Sequence, residues 1–66
     1  MITEIGIVAG EIWHHLDEHG EVNFSSMVSG IKRSKELVLM SLGWLAREGH
    51  VIVQQQGQDF RVQLRR

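Results

Sequence analysis

Apolar residues return every three or four positions through residues 3–19. Ile5, Val8, Ala9, Ile12 and Leu16 form one stripe, and that period predicts an amphipathic helix. Thr3 is the expected N-cap, Glu4 suits the positive end of the helix dipole, and Gly20 is the expected stop. Gly6 and Gly10 sit inside this helix at a cost of up to about 1 kcal/mol each relative to alanine. They point either to close approach of another helix or to a frayed first turn. Residues 21–24 alternate and predict a brief strand. Ser25 is then expected to cap a short second helix over residues 26–31, with Val28 and Ile31 turned inward. Lys32, Arg33 and Ser34 form a tight turn, and Ser34 caps a third helix that runs to about Glu48 and ends at Gly49. After Gly49 the period falls from 3.6 to 2. Residues 50–55 and 59–64 are two predicted strands, separated by Gln56, Gly57 and Gln58, with Gly57 able to supply the positive φ of a hairpin. The glutamine cluster Gln54-Gln55-Gln56-Gly57-Gln58 is therefore a hairpin tip rather than a polar linker.

The third helix carries more apolar surface than one face can hold. Val38, Leu42 and Leu45 make the stripe expected to face the core. Leu37, Met40 and Trp44 make a second stripe, rotated from the first by over about 90°. Either the second stripe tucks under the hairpin or against the first helix, or it stays exposed. Exposed, and joined by Trp13, it would form a homodimer or partner interface anchored by tryptophan and methionine.

Helix, short strand, helix, tight turn, longer helix and hairpin is the order of a winged helix-turn-helix domain, in which the hairpin is the wing. The stretch LGWLAREGHVIV (residues 42–53) resembles the end of the recognition helix of that fold, with Leu45, Gly49 and Ile52 on the matching positions. GEIWHHLDEHGEVNFSSM (residues 10–27) resembles its first helix and entry strand. The chain as a whole resembles a family of short, stand-alone bacterial winged-helix domains of uncharacterised function. The resemblance implies an α+β fold of three helices, a short strand and a C-terminal two-stranded wing, forming one domain over residues 1–66. It also implies duplex DNA as a partner, as in a transcription regulator, with the third helix towards the major groove and the wing along the backbone. The DNA-binding relatives carry polar and basic residues on the outer face of the third helix. Here that face offers Ser41 and little else.

Charge changes the picture once the chain is divided. Residues 1–31 hold Glu4, Glu11, Asp17, Glu18 and Glu21 and no lysine or arginine. Residues 32–66 hold all seven basic residues against Glu36, Glu48 and Asp59, within a net charge of −1 for the whole chain. The asymmetry predicts that folding gathers cations on one side, opposite an acidic back. On that expectation Lys32, Arg33, Lys35, Arg47 and Arg61 contact phosphates. Ser34 and the adjoining helix amides add a phosphate contact. Gln55, Gln56 and Gln58 hydrogen-bond along the backbone or minor groove. The alternative is an ordinary solvated surface.

Composition removes several function classes. A chain of 66 residues, 42% apolar, supports one folded domain whose core supplies about 3–5 kcal/mol. It contains no cysteine, hence no disulfide or thiolate metal site, which fits a reducing cytoplasm. No apolar run is long enough to span a membrane, and the N-terminal stretch lacks the basic residues of a signal peptide. His15 and His19 lie four apart with Glu11 four before, but two imidazoles fall short of a metal site. No metal or other cofactor is expected. No catalytic cysteine, GxSxG or phosphate-binding glycine loop is present, so neither an enzyme nor a small-molecule substrate is expected.

Overall fold

The computed structural model describes residues 1–66. Its elements are α1 (Ile2–His19), β1 (Val22–Asn23), α2 (Phe24–Ile31), α3 (Lys35–Arg47), β2 (Val51–Gln56) and β3 (Asp59–Leu64). Met1 rather than Thr3 precedes α1, and Thr3 lies within its first turn. At the other end Gly20 takes φ 74°, a backbone region open to glycine, and its N–H makes the last helical bond to the Leu16 carbonyl.

The second helix begins earlier than its sequence suggests. Asn23 precedes it without a side-chain cap, so Ser25 is its second residue. The missing cap is supplied from far along the chain. Asp59, the first residue of β3, accepts from the Ser25 backbone N–H at 3.3 Å and from the Ser25 hydroxyl at 2.8 Å. A carboxylate beside free helical amides satisfies donors that have no partner inside the helix. The earlier start adds a turn to the inward stripe, so Phe24 and Met27 enter the core while Val28 and Ile31, on the same stripe, pack at its margin.

Lys32 ends α2 in the left-handed region, and Ser34 caps α3 by accepting from the Leu37 N–H at 3.2 Å. The far end of α3 closes with paired bonds. His50 N–H reaches the Leu45 carbonyl at 2.9 Å, Gly49 N–H reaches Ala46, and Gly49 takes φ 81°. This Schellman arrangement needs a residue free of steric cost at positive φ, which explains the glycine.

The strands form an antiparallel sheet in the order β1-β3-β2. Gln56 pairs with Asp59 and so belongs to β2, leaving Gly57 and Gln58 as a two-residue loop. Only Gly57 has positive φ there, the signature of a type II′ turn. Val51 and Val62 enter the core from the sheet. From the helices come Val8, Ala9, Ile12, Leu16, Val38, Leu42 and Leu45, as their spacing predicts. No helix is long and apolar enough to cross a membrane.

Candidate functional site

Three of the seven basic side chains meet carboxylates of the acidic half. The Arg33 guanidinium grips Glu11 on α1 through two bonds, Nε to Oε1 at 3.0 Å and Nη2 to Oε2 at 2.6 Å. That hydrogen bonding holds the Glu11 carboxyl below its usual range and raises Arg33. Arg61 donates to Glu21 at 3.0 Å and to the Asn23 side chain at 3.0 Å, across the β1–β3 pairing. Arg66 pairs with Asp17 near the end of α1. The expected separation of a cationic side from an acidic back is thereby broken at three of the seven cations. Packing of the C-terminal elements against α1 and β1 places opposite charges within reach, and close pairs gain more Coulomb energy than separated ones.

Lys32, Lys35, Arg47 and Arg65 make no ion pair. Lys35 lies close enough to Asp59 to help lower its pKa, behind the larger effects of the Phe60 N–H and the Ser25 hydroxyl. The Ser34 oxygen is already engaged as the α3 cap. Ser41 was expected on the outer face, but it is 0% exposed and its hydroxyl has no hydrogen-bond partner. It occupies the position three after Val38 and four before Leu45, so it shares their core-facing stripe and cannot reach a base edge. Gln56 and Gln58 remain exposed at the wing tip.

Between charged ends at Lys35, Glu36 and Arg47, the outer side of α3 is apolar. Trp44 keeps 48% of its surface exposed, Met40 43% and Leu39 47%, while Leu37 is drawn to the core margin. Across the α1–α3 seam stands Trp13, 38% exposed. The two indoles border a shallow cleft of about 260 Å³ that also includes Gly6, Gly10, Leu45 and His50. The Trp44 ring leans towards His50 with centroids 6.4 Å apart. A Cβ added at Gly6 or Gly10 would meet nothing within 4 Å, so no helix of this chain explains either glycine. The opposite flank of α3 holds a second groove, about 210 Å³, lined by Leu39, Leu42, Gly43, Ala46, Val53 and Phe60. Leu39 and Val53 escaped the sequence reading, although one signal was available. Apolar residues surround α3, and a 13-residue helix in so small a domain cannot bury every side.

The histidines of α1 form a local pair. His15 and His19 stack with centroids 4.2 Å apart, and His19 Nδ1 donates to the His15 carbonyl at 2.9 Å. Burial, and then the neighbouring His19, lower the His15 pKa. No three His, Asp or Glu side chains converge as a metal-binding group.

Three helices, a tight turn into the third and a terminal hairpin on a three-stranded sheet define a winged helix-turn-helix domain of the α+β class. The family model for the winged helix-turn-helix domain DUF2582 matches residues 1–64, and the chain belongs to that family. Its structure is similar to the solution NMR structure of protein BT2368 from Bacteroides thetaiotaomicron, with a TM-score of 0.81 and 26% identity over 94% of this chain and 76% of that one. No functionally curated protein matches the chain.

Proposed function

We propose that this domain is a non-catalytic association module that pairs with a second copy of itself through the α1–α3 face. The observation that carries this reading is the pair of half-exposed tryptophans, Trp13 and Trp44, over an open cleft floored by Gly6 and Gly10. Trp44, 48% exposed, leaves roughly 100 Å² of a side chain of roughly 200 Å² to bury. At about 25 cal/mol per Å² that is worth about 2.5 kcal/mol in each copy. Trp13 adds nearly as much, so a symmetric pair gains about 9 kcal/mol from its four indoles before the entropy of association is subtracted. Lack of cysteine supports placing the module in the reducing cytoplasm.

Sedimentation velocity of the wild type beside Trp44→Ala tests the proposal. The wild type sediments as a dimer at micromolar to millimolar concentration, and the variant dissociates about four-thousandfold more readily, because both copies lose the contact. A wild-type chain that stays strictly monomeric at millimolar concentration overturns it.

A second reading, phosphate-led binding to duplex DNA, draws support from the unpaired Lys32, Lys35 and Arg47 in the turn and on α3. Three phosphate contacts give a log–log salt slope of about −2.7. Titration with random duplex DNA between 50 and 200 mM salt measures it, and salt-independent or absent binding excludes this reading.

A further inference from the structure

The sheet order leaves β2 on the margin, with one edge unpaired. Its pairing with β3 runs without interruption from Val51↔Leu64 to Gln56↔Asp59. The two-residue loop makes Gln56 and Asp59 the closing hydrogen-bonded pair. At the other end, Arg65 N–H donates to the His50 carbonyl at 3.0 Å, in the same phase. Hydrogen-bonded and non-hydrogen-bonded pairs alternate along an antiparallel ladder. Ile52, Gln54 and Gln56 therefore direct their backbone groups at β3, while those of Val51, Val53 and Gln55 point away from it; Val51 is buried, so Val53 and Gln55 form the open part of the edge. Exposed edges are ordinarily guarded by lysine, proline, a bulge or a covering segment. This strand, VIVQQQ, contains no charge and no proline, and its register has no bulge.

The same edge borders the groove between α3 and the wing. Val53 and Phe60 form one wall, Leu39 and Leu42 another, and Gly43 and Ala46 leave room above the helix. A Cβ at Gly43 would meet nothing within 4 Å. No charged residue lines this groove. An added strand would satisfy the outward amides and carbonyls and set alternate side chains over Gly43 and Ala46. We propose that the free edge of β2 and this groove together dock an extended, uncharged peptide segment of a partner protein, with apolar side chains at alternate positions. Main-chain bonds would supply affinity and the groove would supply specificity. A second copy of this chain is the poorer occupant. The inner face of its own β2 presents Val51, already buried in its core, then Val53, then the polar Gln55. The proposal goes beyond the tryptophan face and does not depend on it.

The test uses the full ¹⁵N-labelled chain and a blocked seven-residue peptide of alternating valine and threonine. In the free protein the amides of Val53 and Gln55 exchange with solvent quickly, while those of Ile52, Gln54 and Gln56 are protected. Peptide at up to about 2 mM produces saturable shifts at Gly43, Ala46, Val53 and Phe60 and slows exchange at Val53. Val53→Pro removes the outward donor without touching the β3 pairing, and weakens binding about tenfold. Gly43→Leu fills the groove and abolishes binding, Glu18→Gln on α1 leaves it unchanged, and thermal melts verify that each variant is folded. Absence of shifts, or binding indifferent to both groove and edge variants, overturns the proposal. So does concentration-dependent protection of Val53 and Gln55 without peptide, which would show a second copy on the edge.

Discussion

Ser41 is the one polar side chain among the 12 buried residues, and its hydroxyl bonds to nothing, not even the Leu37 carbonyl one turn back. An unpaired hydroxyl held out of water costs about 1–3 kcal/mol. Replacing it with alanine removes that cost and adds a few tenths of a kcal/mol, roughly, of helix propensity. The lost oxygen leaves roughly 10 Å³ of new space, a penalty of about 0.2 kcal/mol at roughly 24 cal/mol per Å³. The net expectation for Ser41→Ala is a gain of about 1–3 kcal/mol, large beside the total of about 3–5 kcal/mol expected for a domain of this size. In a chain this short, 1 kcal/mol moves the midpoint by about 4–8 °C, so Tm should rise by about 4–24 °C. Calorimetry and urea unfolding measure it, with the denaturant midpoint shifting and the slope unchanged. A variant equal to or less stable than the wild type refutes the reasoning, because it would mean the hydroxyl has a partner. DNA titration offers an independent check, since a side chain sealed in the core cannot alter contacts to bases.

Gly10→Ala separates folding from association, because the added Cβ meets nothing in its own chain. The monomer should gain up to about 1 kcal/mol in chemical unfolding, while the dimer measured by sedimentation weakens if that surface is where copies meet. Gly57→Ala forces a side chain into positive φ at the wing turn and should cost about 1–2 kcal/mol, read as a drop in urea midpoint. Asp59 bonds to Phe60 and Ser25 and has its pKa lowered from 3.8. A carboxylate with a depressed folded pKa contributes stability above its unfolded value, and that contribution disappears as pH falls through the folded value. Acid unfolding of Asp59→Asn should therefore lose less stability than the wild type below about pH 4. Parallel curves would show that the cap is energetically silent.

How much of this was legible beforehand follows from the range of the forces involved. The stripes Val8–Ile12–Leu16 and Val38–Leu42–Leu45 announce their buried faces because helical periodicity repeats within a few residues. Ser34 and Gly49 announce the ends of α3 because capping is equally local. The start of α2 was misplaced by two residues because its cap comes from Asp59, 34 positions from Ser25. Ser41 was misplaced for a different reason. Its chemistry suggested solvent, whereas its spacing from Val38 and Leu45 already put it inside.

The sequence by itself determined the order of elements, the two helical core faces, the hairpin and the winged-helix class, since each depends on neighbours a few residues apart. Only the tertiary structure decided that Arg33, Arg61 and Arg66 close onto Glu11, Glu21 and Asp17. It alone left Trp13 and Trp44 half exposed and the β2 edge open. Those outcomes depend on how α1, α3 and the wing are set against one another, and a linear pattern of polar and apolar residues does not encode the distance between groups far apart along the chain.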